Sequence, residues 1–515
     1  MGREDEIIEQ RKRKIAELTK AKISPYAYRF DKKDNSSDIQ KKYANLKPDE
    51  RTKDNVKTAG RVMTVRDLGN LAFSTIQDGS GKIQIVLQKE ETSEKVFEFF
   101  KKYVDSGDFI GVEGIVFKTK RGEISILVKS VEILSKSILP LPEKWHGIQD
   151  EEERLRKRYL DLVMNSEVKK VFETRAKILE VMRSFMKKNN FIEVETPLLQ
   201  SVYGGASAKP FKTHCDAYNS DLFLSIAPEL YLKKALVGGF DRVYEITKKF
   251  RNEGADRQHN PEHMTIEWYQ GYADYNDGMQ MFENLLKDIA MELFGKTEFE
   301  FKGNKINLGK WKKIPLLEAI KEYLKEDISK IKTDAEAKAV AKKHGIEPRE
   351  ITKINLPDEL MKLFRDKLIQ PTFLIDYPIE LAPLAKPKRG DPTKAEIFQP
   401  FIGGIELARA YSELNDPSVQ EANFIEQEEE RKKGNQEAMP TDKDFVDALK
   451  HAMPPACGVG IGIERLVMLF ANKDSVRDVI MFPFMKIETP RIEKKETLVV
   501  EEKTKAKKDK LKSAK

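Results

Sequence analysis

Cysteine is nearly absent: the 515 residues hold two, Cys215 and Cys457. Two thiols cannot form a disulfide framework, and neither stands in a CxxC pair that would point to zinc, so both read as packed side chains. Also missing is any apolar run approaching the roughly 18 residues of a membrane span, so no membrane partner is expected. The opening residues MGREDEIIEQ are charged at once and lack the apolar segment of a signal peptide. Together these absences point to a cytoplasmic protein. Neither sign of charge dominates: 92 Lys and Arg against 85 Asp and Glu leave a net charge of +7. Such a balance describes a solvated surface and permits a nucleic-acid partner without requiring one. With 40% hydrophobic residues, the chain can bury cores for two or more domains.

Residues 4–22 set Ile7, Ile8, Ile15 and Leu18 near helical spacing, with Lys and Arg opposite. This basic amphipathic helix either docks by one stripe or tracks a nucleic-acid backbone. Residues 1–54 are read as this helix and a connection. From 55 to 142 the pattern changes to short alternating runs punctuated by glycine, such as LAFSTIQDGSGKIQIVLQ, which predicts a small all-β barrel of the five-stranded OB type. Residues 143–157 read as a linker, and 158–487 as an α+β domain with a Lys- and Glu-rich helical insertion at about 303–370. The tail 488–515 reads as a disordered basic end.

The most informative stretch is Arg242 to Tyr275, RVYEITKKFRNEGADRQHNPEHMTIEWYQGYADY. Two alternating runs flank a polar loop, which predicts an antiparallel hairpin. The loop joins Arg251, Arg257 and His259 to Glu253 and Glu262, a mixture suited to a polyanion carrying a metal ion. Upstream stands NNFIEVETPLL (Asn189 to Leu199) and downstream GVGIGIERLVMLF (Gly458 to Phe470). In this order, the two stretches and FRNEG resemble the three signature motifs of class II aminoacyl-tRNA synthetases. GGASAKPF (Gly204 to Phe211), APELYLK (Ala227 to Lys233), PLAK (Pro383 to Lys386) and SELNDP (Ser412 to Pro417) resemble the lysyl branch. Any one string alone is weak; the ordered set is specific.

The resemblance implies an OB-fold anticodon-binding barrel followed by an antiparallel sheet flanked by helices, with ATP, L-lysine and tRNA(Lys) as partners. In the barrel it implies Phe73 stacked on an anticodon base, with Arg66, Gln84 and Glu123 beside it; the pattern alone leaves Phe73 equally suited to the core. It assigns Arg251 to the α-phosphate, Glu253 to the adenine amino group, and Arg257 and Arg465 to the γ-phosphate, with Arg251 and Arg465 as catalytic groups. His263 stands where the family carries Phe under adenine, and an imidazole can still stack there. Glu406 and Glu413 match the family's magnesium carboxylates, so Mg2+ is the implied cofactor, with Glu406 also counted in the ATP site. The amino-acid pocket is assigned Gly205, Glu229, Glu267, Tyr269 and Asn415: Glu229 for the α-ammonium, Glu267 and Tyr269 for the ε-ammonium. Carboxylates suit a substrate with two ammonium groups, whereas an aspartate pocket would need Arg or Lys. Pro197 is implied at a homodimer interface. Asn190 replaces the usual Gly at a helix end and tolerates the left-handed backbone needed there. The three glycines of GVGIG are expected to let backbone or adenine come close. No His, Ser or Cys stands out as a base for the transfer step.

Overall fold

The computed structural model describes residues 2–142, 150–433, 435 and 437–487. The basic tail and residues 143–149 of the linker expected at 143–157 lie outside them; in the rest of that linker the chain forms a short helix, Glu151–Arg156. The chain falls into two compact units, Met1–Gln149 and Asp150–Lys515.

In the first unit, helix α1 (Arg3–Lys20) precedes a closed barrel of β1 (Arg51–Asp67), β2 (Leu71–Gln77), β3 (Lys82–Gln88), β4 (Phe109–Lys118) and β5 (Ile124–Ser135). The strand order is β1-β2-β3-β5-β4. Alternation does the folding: Ala72, Ser74 and Ile76 of β2 point inward and are buried, while Phe73 and Thr75 point outward. Helix α1 docks by one stripe. Leu18 enters the barrel core, and buried Arg11 donates to the carbonyl oxygens of Ser106 and Leu139 at 2.8 Å and to Ser137. Between β3 and β4 lies a helix that the strand pattern did not reveal, α2 (Glu94–Tyr103), which buries Phe97 and Phe100.

The second unit is built on one sheet. In chain order its elements are α3 (Ser166–Lys188), β6 (Ile192–Glu193), α4 (Glu229–Val237), β7 (Arg242–Phe250), β8 (Glu262–Gly271), α5 (Tyr275–Phe294), β9 (Lys312–Pro315), β10 (Thr372–Ile375), β11 (Ile397–Ile402), β12 (Ile405–Glu406), β13 (Ala408–Ser412), β14 (Ala456–Gly462) and α6 (Ile463–Phe470). The spatial order is β9-β10-β11-β13-β14-β8-β7-β6, with β12 paired to β11. The interior pairings are antiparallel, and only the pairings at the two ends, β9 with β10 and β6 with β7, are parallel. The insertion expected to be helical from about 303 differs from that expectation. Strand Asn304–Asn307 pairs with Glu298–Phe301, β9 joins the sheet, and helices begin only at Leu316. Its Lys-rich segments KGNKIN and KWKKIP are too short to show a strand period.

Parity decides what each face of the sheet does. Tyr244, Ile266, Trp268, Cys457, Val459, Ile461, Ala408 and Ala410 pack into one apolar core with Ile178, Met182 and Phe185 of α3, Phe282 and Leu285 of α5 and Leu466 of α6. Their neighbours in sequence necessarily turn to the opposite face. That face carries Glu245, Glu267, Tyr269, Arg409, Tyr411 and the glycines 458, 460 and 462. Between α3 and β6 the chain reverses at Asn190, with φ +62, as the sequence predicts. Asn190→Val is expected to destabilise this unit by about 1–2 kcal/mol, and Asn190→Gly to leave it unchanged, read as shifts of the thermal unfolding midpoint.

Candidate active site

The charged face is deepest along the β7–β8 hairpin. Glu245 lies directly opposite Glu267 in the register, and Lys249 opposite His263. On the other side of β8, Gly460 pairs with Glu267 and Gly458 with Tyr269. These glycines make room for side chains rather than for backbone. A Cβ on Gly458 would lie 2.1 Å from Glu413 Oε1 and 2.4 Å from Tyr269 Cε1, and one on Gly460 would lie 3.3 Å from Glu267 Cγ. Gly205, at φ +83, approaches α4 so closely that a Cβ would meet Glu229 Cβ at 2.8 Å.

Around this hollow the structure gathers Glu229, Glu267 and Glu413, each buried, with Tyr269 and Tyr411. Removing carboxylates from water favours their neutral form. Burial, with the neighbouring Glu229, pushes Glu267 up to about 8. Burial also raises Glu413 well above the usual carboxylate range, against the opposing pull of Lys233. Tyr269 is raised well above the ordinary phenol for the same reason. Its hydroxyl lies 3.5 Å from Glu267 Oε2.

Sequence reasoning missed the cation that holds two of these acids. Lys233, one helical turn after Glu229, is fully buried, with its ammonium 2.6 Å from Glu229 Oε1 and 2.5 Å from Glu413 Oε2. Burial opposes its charge, yet the two carboxylates outweigh that and raise its pKa. Tyr411 donates to the same Glu229 oxygen at 2.5 Å. The four-residue spacing of Glu229 and Lys233 in APELYLK was the available signal; nothing in the sequence marks Tyr411. Asn415 donates through its amide to the carbonyl of Met453 at 3.0 Å.

A second cluster lies at the end of the hairpin. Arg251 is half-buried, and its Nε has no hydrogen-bond partner among the described residues. Burial lowers its pKa, an effect the carboxylates of Glu253 and Glu267 oppose. Arg465, in the first turn of α6, donates to the carbonyl of Glu406 at 3.1 Å, lies 3.6 Å from Glu406 Oε2 and meets His259 Nε2 at 3.1 Å. Burial, with Arg251 and Arg465 nearby, drives His263 down to about 3. Its ring is therefore neutral at physiological pH. Glu253 is exposed and accepts from the Lys209 amide at 3.3 Å. Arg257 instead lines a cavity of about 380 Å³ with Lys302, Asp366 and Asp474. Glu262 is turned away to pair with Lys248.

The carboxylates expected for magnesium are differently committed. Gln399 donates to Glu406 Oε1 at 3.2 Å. Glu413 spends Oε2 on Lys233, whereas its buried Oε1 has no hydrogen-bond partner among the described residues. Among those residues no group of three or more His, Cys, Asp or Glu could hold a metal. These are hard oxygen donors with one orphaned atom and no closed cage, which fits an ion held mainly by a substrate's phosphates.

In the barrel, Arg66 is the register partner of Phe73, and Gln84 donates to Glu123 at 2.8 Å. Phe73 stands outside the core, so these four residues share the outer surface of β1–β3 and its margin. Pro197 lies between β6 and the short strand Leu199–Gln200, and its carbonyl accepts from Gln200 at 3.1 Å.

A family model described as class II tRNA synthetases (D, K and N) matches residues 150–486, and one described as an OB-fold nucleic acid binding domain matches 56–134. A lysine–tRNA ligase from Pelotomaculum thermopropionicum is 46% identical over 493 residues, covering 94% of this chain and 96% of that protein. One from Thermosipho africanus is 45% identical over 483 residues, covering 93% and 96%. One from Methanoculleus marisnigri is 44% identical over 483 residues, covering 93% and 94%. Gly458→Ala is expected to cost about 1–3 kcal/mol by overpacking. Gly254→Ala, where a Cβ meets nothing within 4 Å, is expected to shift the thermal midpoint far less.

Proposed function

The chain belongs to the class II tRNA synthetases (D, K and N), in their lysine–tRNA ligase branch, and from this premise we propose how its residues perform the reaction. The substrates are ATP, L-lysine and tRNA(Lys). A carboxylate oxygen of lysine attacks the α-phosphorus, the bond to pyrophosphate breaks, and lysyl-adenylate forms. The terminal ribose hydroxyl of the tRNA then attacks the acyl carbon, and AMP leaves.

The observation that carries the lysine reading is the buried carboxylate of Glu267, capped by Tyr269 and facing a glycine strand. It would take the ε-ammonium. Glu229 would take the α-ammonium through Oε2, because its Oε1 is engaged by Lys233 and Tyr411. Gly205 gives the backbone access to that end, and Asn415 faces the substrate carboxylate with its remaining amide capacity. A neutral side chain of equal length would leave these acids unpaired, which a buried site penalises heavily.

For ATP, Arg251 is the donor for the α-phosphate, and its unpartnered Nε supports this. Arg465, oriented by the Glu406 carbonyl and His259, reaches the γ-phosphate, with Arg257 approaching from the loop. One preorganised donor of this kind is worth roughly 3 kcal/mol, about 100-fold in rate. The neutral His263 ring stacks under adenine, and Glu253 accepts from its amino group. Glu406 and Glu413 would hold Mg2+, which neutralises phosphate charge when bound with ATP. In the barrel, Phe73 stacks on an anticodon base, with Arg66, Gln84 and Glu123 as its polar neighbours.

We further propose a cytoplasmic homodimer joined through the motif around Pro197. Supporting this, β6 is an edge strand, and Ile192, Leu198 and Leu199 leave apolar surface exposed beside it. Light scattering is expected to give twice the 59.2 kDa chain mass; a fully active monomer would refute it.

ATP–pyrophosphate exchange tests the pocket. Glu267→Gln is expected to lower lysine-dependent exchange at least about 100-fold while the KM for ATP holds. In the wild type, a Glu267 held near 8 is mostly protonated at neutral pH and must lose its proton to pair with an ammonium. Lysine KM should therefore fall as pH rises from about 6 to 8 and then level. A flat profile beside unaltered exchange in Glu267→Gln would remove the assignment.

A further inference from the structure

Lys249 has no part in the mechanism above, yet it is fully buried. It lies on the same face of β7 as Glu245, four residues before it, and therefore on the face that carries Glu267 on β8. Its ammonium donates to Ser225 Oγ at 3.1 Å and stands 3.8 Å from Glu245 Oε2. The surroundings close into a circuit. Ser225 Oγ accepts from Gln200 at 3.1 Å, and the same amide of Gln200 donates to the carbonyl of Pro197. Thr196, the residue before Pro197, donates to Glu245 through its backbone N–H at 3.0 Å and its hydroxyl at 2.7 Å. Gln200, Ser225, Lys249 and Glu245 are all buried.

Glu245 and Glu267, directly opposed across two strands and shielded from water, repel each other whenever both are ionised, as they must be when Glu267 pairs with a cation. Either could attract an incoming ammonium. The other charged or titratable groups acting on Glu267 are Glu229 on α4, Glu413 after β13, Arg251 at the end of β7 and Tyr269, two residues along β8; Lys233 is already committed to Glu229 and Glu413. Lys249 is thus the resident cation placed to offset one member of the opposed pair.

We propose that Lys249 is a positioning residue of the lysine pocket: its ammonium satisfies Glu245, leaving Glu267 as the one acid of the pair that faces the substrate, and it anchors that arrangement to the Thr196–Pro197 turn. The proposal rests on the pocket reading above. Burial lowers the pKa of Lys249, and the nearby Glu245 and Glu267 oppose that shift.

The role predicts a charge-balance cycle. Lys249→Met leaves Glu245 uncompensated beside Glu267, which weakens the hold on the substrate ammonium. Glu245→Gln leaves Lys249 free to pair with Glu267 and compete with the substrate. The double variant removes both charges. In exchange assays on the full chain, each single variant is expected to raise lysine KM about tenfold, with ATP KM within about twofold, and the double variant to return lysine KM to within about threefold of wild type. A merely structural role would instead move ATP KM and the thermal midpoint along with lysine KM, and would make the double variant worse than either single. That result, or single variants with unchanged lysine KM, overturns the proposal. Should Lys249→Met not fold, Glu245→Gln against the double variant carries the same comparison. Glu267→Gln run alongside separates the two claims. Retained lysine activation there removes the pocket reading, whereas a failed rescue beside an inactive Glu267→Gln removes only the role of Lys249.

Discussion

Desolvated negative charge is the constraint around which the second unit is arranged. Glu229, Glu245, Glu267 and Glu413 are buried within one region, where isolated carboxylates would cost several kcal/mol each or else give up their charge. The surrounding fold answers that cost in three ways. Lys233 bridges Glu229 and Glu413, Lys249 stands by Glu245, and backbone and hydroxyl donors such as Thr196 and Tyr411 satisfy remaining oxygens. Glu267 has no ion pair of its own among the described residues, and burial with the neighbouring Glu229 pushes it up to about 8. An acid left so poised gains most from a cation arriving from outside.

The sheet makes this possible by dividing labour between its faces. One face is a dry core against three helices, and it fixes the strand register. With register fixed, every second residue is delivered to the charged face without independent specification. The alternation of glycine with Cys457, Val459 and Ile461 in β14 is one device serving both faces: apolar side chains anchor the strand while the glycines admit Glu413 and Tyr269.

Much of this was legible in the sequence. The hairpin, the barrel strands and the left-handed Asn190 follow from period, punctuation and the few residues that tolerate positive φ. The acids Glu229 and Glu267 were singled out by the resemblance and by the charge of the substrate it implies, and the structure buries both. What was hidden depends on tertiary cover. Lys248 and Lys249 are adjacent and chemically identical in the sequence, but one is exposed and one is fully buried. Only the parity shared with Glu245, together with the Ser225 segment lying over it, distinguishes them. That Glu413 shares one of its oxygens with Lys233 shows only once α4 is folded against it. The Phe97 and Phe100 helix and the strands after residue 298 were missed because short segments carry too few periods to separate helix from strand.

The glycine-lined hollow also bears on fidelity. A hydrocarbon guest of lysine's length could enter it sterically, but it would strand polar oxygens against methyl groups. In the lysine pocket proposed above, discrimination against such an amino acid, on the order of 10⁴-fold, needs no later proofreading step. The harder competitors for this architecture are other amines, for which chain length alone must decide.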